Sequence, residues 1–206
     1  IINQNIICIK NILTPDYQTP LFNGGVEEDL QQLNKFINEV EYKSKNKKSV
    51  VGGIQTFKIK NSHIFFDVGE PPKKGFSSSY QSGPLSFEYY LDGIKIITNC
   101  GFGSNISSKA ELLSRLTSAQ STLTLNNTSV TNFERNKLIN KIYGNSIKNT
   151  FKISDLSFAE DNNKIEVFAS HNGYEKKFGC ICRRKIHIEK STNNLFGSDE
   201  IIKKKD

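Results

Sequence analysis

The sequence predicts a mostly β chain, an antiparallel β-sandwich preceded by one amphipathic helix, and three observations carry that reading. Beyond Ser49 the spacing of apolar residues changes from near four to two. The segments that follow are short and rich in Ile, Phe, Tyr and Thr. Asn, Asp and Gly pairs separate them, as hairpin turns require.

Residues 1 to about 20 read as the end of something larger. From Gly24 to about Lys43, Val26, Leu30, Leu33, Ile37 and Val40 recur at three and four, Glu27, Glu28 and Asp29 occupy a first turn, and Asn23 is placed to cap. An amphipathic helix is expected there. The charged connector KSKNKKS then marks a domain boundary, giving a helical part over 1–45 and a β part over 46–206 that is truncated at its C-terminus. With no Met in the chain, it reads as a fragment.

Strands are expected at 54–60, 63–68, 85–91, 94–98, 121–126, 164–170, 174–182 and 185–190, with turns at Asn61-Ser62, Asp92-Gly93, Asn162-Asn163 and Asn172-Gly173. A helical turn over Ser108 to Leu116 is suggested by Ser108 and Glu111 as a capping box, with a loop as the alternative. That many strands in one run imply a sandwich or a large folded sheet. Cys180 and Cys182 share one strand face and read as buried thiols, their spacing fitting neither CxxC redox chemistry nor a zinc knuckle.

Composition narrows the function. The net charge of +7 favours an acidic partner, whether nucleic acid, anionic lipid or acidic polysaccharide. The basic residues are scattered and not grouped with stacking aromatics, which argues against a nucleic-acid module. No apolar run approaches the ~20 residues of a membrane helix, and no segment has signal-peptide order. Phosphate loops of P-loop type, GxSxG and HExxH are all lacking, so nucleotide chemistry and nucleophilic hydrolysis are unsupported. Three Asn-x-Ser/Thr triplets (Asn105, Asn126, Asn127) are no more than an Asn- and Ser-rich chain produces.

Three segments in order, GPLSFEYYLDGIKIITNCG, RLTSAQSTLTLNNTS and SHNGYEKKFGCICRRKIHIEKSTNNLFGSDEI, resemble the C-terminal β-domain of heparinase II/III-like polysaccharide lyases; TPLFNGGVEED resembles the last helical segment of the toroid that precedes it. The resemblance implies an (α/α) toroid followed by a β-sandwich, with an acidic, uronate-containing polysaccharide in the cleft between them. It implies cleavage by β-elimination, the tyrosine and several partners of the chemical step lying on the toroid, and export to the periplasm or cell envelope. The alternative is a non-catalytic carbohydrate-binding or structural β-domain.

Where metal-binding relatives carry histidines and an aspartate, this chain has Ser79 and Gln81, Asn99, and Gln120. Amides and hydroxyls are neutral and weak donors to zinc, so no metal is expected; nor is any other cofactor. Gln81, Asn99 and Gln120 are expected instead to hydrogen-bond one another, or to face solvent or the saccharide cleft. His171 is a candidate catalytic residue within the third motif, and Tyr80 another beside the replaced histidines. Gln81, Arg183 and Arg184 are candidate substrate ligands. Adjacent on a strand, the two arginines must point to opposite faces, so at most one reaches a given carboxylate. His63 and His187 read as ordinary strand positions.

Overall fold

The computed structural model describes residues 2–39 and 50–204. The expected boundary at KSKNKKS and the end of the expected helix at 40–43 lie outside the described residues. Two antiparallel sheets form the body. The first contains β1 (Val50–Val51), β2 (Ile54–Ile59), β3 (Ser62–Asp67), β4 (Phe87–Leu91) and β5 (Ile94–Ile97) in sequence order; the second contains β6 (Ile153–Glu160), β7 (Lys164–His171), β8 (Cys180–Glu189) and β9 (Leu195–Lys203), also in order. Phe57, Ile64, Phe66 and Tyr89 of the first sheet pack against Ile165, Val167, Ile186 and Ile188 of the second, which makes the body a sandwich.

The other face of the first sheet is also covered. Phe65 and Tyr90 pack with Ile54 and with Phe22 of the N-terminal segment, so β3 is buried on both faces and reads as the nearly continuous apolar run IFF. Helix α1 (Ile2–Ile12) lies at this side, where the Lys58 ammonium donates to the carbonyls of Lys10 (2.8 Å) and Leu13 (3.4 Å). A cation at a helix C-terminus satisfies carbonyls that have no partner within the helix.

The helix expected from Gly24 starts later. Helix α2 spans Gln31–Glu39, with the Asp29 carboxylate accepting the Gln31 N–H at 2.9 Å. Residues 24–30 are non-helical because their backbone is bonded elsewhere: the Gly24 N–H to Gln81, the Gly25 carbonyl to Phe102 N–H, and the Leu30 N–H to the Tyr17 carbonyl. Asn23 is not a cap; it sits at φ +48° and turns its amide toward the β-body.

Other departures from expectation have local causes. Asp92 and Gly93 do form the expected turn, both with positive φ (50° and 79°), the conformation that a two-residue type I′ hairpin needs. The preceding turn is Lys60-Asn61, because Ser62 already pairs with Ile59 and its hydroxyl bonds Asn193 Oδ1 at 2.9 Å. Residues 121–126 form a loop and not a strand; Thr122 Oγ1 bonds the Pro84 carbonyl at 2.6 Å, and Asn126 and Asn127 turn the chain with φ of 46° and 50°. Side-chain bonds to backbone here replace a ladder.

The segment expected as strand 174–182 opens with a helical turn (Glu175–Phe178), closed by Gly179 at φ +63°, and β8 then runs unbroken through 185–189. Asn172-Gly173 leads into that turn and is no hairpin; a Cβ on Gly173 would lie 2.2 Å from a Val130 methyl. Between the sheets come α3 (Ser108–Ser114), capped by Ser107, whose Oγ accepts the Ala110 N–H at 3.1 Å, and α4 (Lys137–Tyr143), capped by Asn136. The cap of α3 thus lies one residue before the expected Ser108, and Glu111 is out of capping-box register.

Candidate functional site

The longest excursion within the first sheet, residues 68–86, leaves β3 and folds against the segment 99–131. Its serines and glycines make no ladder; its backbone is bonded in local turns, such as Tyr80 N–H to the Ser77 carbonyl, and by buried side chains. Arg115 supplies one such tie. Its guanidinium is 0% exposed, stacks over the Phe133 ring at 4.3 Å, and donates from Nε to the Tyr80 carbonyl (2.9 Å) and from Nη2 to the Ser77 carbonyl (2.8 Å). Burial lowers its pKa to about 10, which still leaves it charged at neutral pH.

Gln81 is the centre of the second tie. Its Oε1 accepts the Gly24 N–H at 3.1 Å, and its Nε2 donates to the carbonyls of Gly101 (2.8 Å) and Ser114 (3.0 Å). Gln120 Nε2 donates to the same Ser114 carbonyl at 2.7 Å. Asn99 Oδ1 accepts from Ser121 N (2.9 Å) and Oγ (3.1 Å). The three amides are buried and neighbouring, but they do not bond one another: Gln81 and Gln120 share one backbone carbonyl, and Asn99 holds Ser121. Ser79 is half-buried against Gly24, where an added Cβ would come within 2.9 Å of its own.

This donor set does not fit a zinc ion. The oxygens of Gln81 and Asn99 are engaged by N–H groups, Gln120 presents its NH2 to a carbonyl, and none of the three carries charge.

The remaining sequence candidates have other surroundings. His171 is 1% exposed at the end of β7, between the rings of Phe151 and Tyr174, and its Nδ1 accepts the Gly173 N–H at 3.2 Å. Burial, then the charge of Arg184, lower its pKa to about 4, so it is neutral. It is enclosed from substrate and orders the turn that follows β7. Arg184 is spent within the fold: it pairs with both oxygens of Asp199 at 2.7 Å and donates to the carbonyls of Leu85 and Ser121 across the sandwich. Arg183 is half-exposed on the outward face of the second sheet, beside Glu200 (3.3 Å) and Asp155 (3.7 Å). His187 stacks on Phe196, ring centroids 4.6 Å apart.

Tyr80 is 2% exposed, its ring is in an apolar cluster with Val130 and Phe151, and its hydroxyl has no hydrogen-bond partner among the described residues. Burial, then the charge of Asp67, hold its pKa well above the ordinary phenol value. Asp67 is itself buried; its carboxylate accepts the Gly69 N–H at 2.9 Å and the Asn23 amide at 3.4 Å, and burial pushes its pKa up to about 7 against these bonds. A cavity of about 220 Å³ lies beside this pair, between Asn23, Gly69, Glu70, Phe76, Ser79 and Tyr80. A larger groove of about 1040 Å³ runs along α3 and is lined by Glu134, whose pKa falls to about 2 because the Asn136 N–H, then Lys148 and the Arg135 N–H, favour its charge.

Sequence reasoning missed Arg115 and Asp67. One signal was available: only four of the 28 basic residues are Arg. In a chain that uses Lys for solvated charge, an Arg can mark a place for a planar multi-donor group, and Arg115 and Arg184 are both such places.

The family described as heparinase II/III-like, C-terminal, matches residues 43–206. Among solved structures, the fold is similar to heparan sulfate lyase HepC from Pedobacter heparinus (TM-score 0.67, 18% identity, covering 96% of this chain and 32% of that one). It is also similar to the heparinase III BT4657 gene product (TM-score 0.66, 15% identity, 93% and 30%) and to a further heparinase III (TM-score 0.54, 13% identity, 98% and 33%). No curated protein sequence matches the chain. The chain spans about a third of the length of these structures. With a family match extending over most of its residues, the chain belongs to the heparinase II/III-like C-terminal family.

Proposed function

We propose that this chain supplies the β-wall of a polysaccharide lyase that cleaves an acidic, uronate-containing polysaccharide by β-elimination. The observation that carries the reading is the family match over residues 43–206. In this reading residues 1–45 end a helical toroid, residues 46–206 form the β-domain, and the protein is exported to the periplasm or cell envelope.

The chemistry sets the division of labour. Elimination breaks the C5–H and C4–O bonds and forms the C4–C5 double bond; it needs a group to offset the uronate charge, a base for the C5 proton and an acid for the departing oxygen. Within the chain, His171 is enclosed and Arg184 is committed to Asp199, so those three groups are assigned to the upstream toroid. What the β-wall contributes is position. Gln81 ties Gly24 of the N-terminal segment to Gly101 and Ser114 by hydrogen bonds alone.

Full-length protein incubated with a panel of uronate polysaccharides is expected to generate the ultraviolet absorbance of the unsaturated product, unchanged by chelator. Chelator-sensitive turnover would refute the metal-free wall. No absorbance with any polysaccharide would favour the second reading, a non-catalytic carbohydrate-binding domain, which the neutral residues at the metal-ligand positions support. The isolated chain is expected to be inactive either way.

A companion prediction needs no substrate. The combined variant Gln81→His, Asn99→Asp, Gln120→His is expected to gain zinc affinity, raising Tm by about 5 °C or more at ~100-fold excess over Kd, while the parent does not respond. An unresponsive variant that remains folded would show that these positions do not converge as described.

A further inference from the structure

We propose that the groove along α3 seats a segment of the acidic polysaccharide, with Arg135 at its rim taking the carboxylate or sulfate of one sugar unit. The proposal deepens the lyase reading and rests on it for the ligand class.

Arg135 singles the groove out. Of the four arginines, Arg115 and Arg184 are committed within the fold and Arg183 lies beside Glu200 and Asp155. The exposed guanidinium of Arg135, which lines the groove, has no hydrogen-bond or ion-pair partner among the described residues. Its backbone, in contrast, is fixed. The Arg135 N–H donates to Glu134 Oε1 at 2.9 Å, the Glu134 N–H donates to the Ser146 carbonyl at 2.7 Å, and the next residue, Asn136, caps α4. A planar, two-pronged donor on an anchored base suits an oxyanion, because little ordering is left to be done when the anion arrives.

The surrounding charge permits it. Among the described residues Glu134 is the only acid in the lining, and its carboxylate is held by the Arg135 and Asn136 N–H groups and by Lys148 (3.2 Å) and Lys74 (3.5 Å). With Arg135, three cations stand against one carboxylate, so an arriving anion meets a positive field.

The rest of the lining suits a sugar chain. At about 1040 Å³ the groove lies at the upper end of ordinary ligand pockets, about 300–1,000 Å³, which leaves room for more than one unit. Leu112 and Leu113 are 45% and 49% exposed along it, and Phe133 is backed by the buried Arg115 at 4.3 Å, giving apolar surface for the C–H faces of pyranose rings. The Asn132 side chain, also exposed and without a partner among the described residues, offers sugar hydroxyls a donor and an acceptor.

The test compares the full-length parent with Arg135→Gln, Arg135→Lys and Asn132→Ala on alginate and hyaluronan, which carry carboxylates alone, and on heparan sulfate, which adds sulfates. Arg135→Gln is expected to raise KM about three- to tenfold with kcat within about twofold, Arg135→Lys to recover part of the loss, and Asn132→Ala to raise KM about two- to threefold. The penalty of Arg135→Gln should shrink as salt rises from about 0.05 to about 0.5 M, which a packing role would not do. A larger penalty on heparan sulfate assigns Arg135 to sulfate; equal penalties assign it to carboxylate. Denaturation midpoints should match the parent, since neither side chain has a partner to lose among the described residues. Active enzyme whose KM moves less than about twofold in Arg135→Gln overturns the groove and leaves the lyase reading intact. A lowered midpoint in Arg135→Gln also overturns it, because the groove would then be packed against the upstream part of the chain. If the parent cleaves nothing, calorimetric titration with the same three polysaccharides decides. Binding that Arg135→Gln weakens more than about twofold upholds the groove while the lyase reading fails, and binding that it weakens less overturns the groove. No binding by the parent overturns both.

Discussion

Replacing Arg115 by methionine is expected to destabilise the protein by about 3 kcal/mol. The guanidinium holds the loop 77–80 through two buried carbonyls, Tyr80 at 2.9 Å and Ser77 at 2.8 Å, and lies against Phe133. Hydrogen bonds to a charged donor contribute about 1.5–3 kcal/mol each, and each stranded buried carbonyl costs about 1–3 kcal/mol. Opposing this is the relief of a buried charge that, among the described residues, has no carboxylate in hydrogen-bond contact and whose Nη1 is unpartnered. Methionine fills much of the volume but donates to neither carbonyl, so the loss outweighs the relief. Arg115→Lys should recover less than half, because an ammonium cannot span both carbonyls in one plane or stack on Phe133. Urea midpoints measure this. A methionine variant within about 1 kcal/mol of the parent would show that the loop is held by Gln81 and the serine contacts instead.

The same residue shows where sequence reading stops. Short runs rich in Ile, Phe and Tyr located β2, β3, β4, β5 and β7: β2 and β7 mix buried with more exposed positions, whereas β3 and β4 are buried almost throughout and show as apolar runs. The edge strands β6 and β9 escaped such a reading: almost every residue of ISDLSFAE and LFGSDEIIK is exposed, and polar edges are how sheets avoid pairing with strangers. Helix periodicity over 24–30 was real as a pattern, yet Gly24 and Gly25 give their backbone groups to Gln81 and Phe102, a tertiary competition invisible locally. In the site, resemblance placed Gln81, Asn99 and Gln120 in one neighbourhood. The Ser114 carbonyl that Gln81 and Gln120 share left no mark in the sequence, because every residue has a carbonyl. Asp67 sat unnoticed in the strand HIFFDV, since its burial depends on the Asn23 segment folding over it from 44 residues away.

Asp67 and His171 should oppose one another in acid, and removing either is expected to tilt a stability profile that their sum keeps nearly level. In an unfolded chain a histidine takes up its proton below its ordinary value of 6.5; folded His171 does so only near 4, so acid between those values favours unfolding. An unfolded aspartate stays ionised down to 3.8, whereas folded Asp67 takes up its proton near 7, so acid in that window favours folding. The two windows overlap from about 4 to 6.5, and at about 1.36 kcal/mol for each pKa unit both contributions there are on the order of 3 kcal/mol with opposite signs. His63, lowered by burial, acts in the direction of His171, and Glu88, raised by burial, in that of Asp67, so the informative quantity is variant minus parent. For Asp67→Asn, denaturation midpoints should fall as pH drops from about 6.5 to about 4.5 more steeply than in the parent. His171→Asn, whose side-chain oxygen can still accept the Gly173 N–H, should instead gain relative stability over the same range. Parallel profiles for Asp67→Asn and parent would mean that the carboxylate keeps an ordinary affinity for its proton. Water would then reach it past Asn23, and the phenol of Tyr80 would face solvent rather than an enclosed acid.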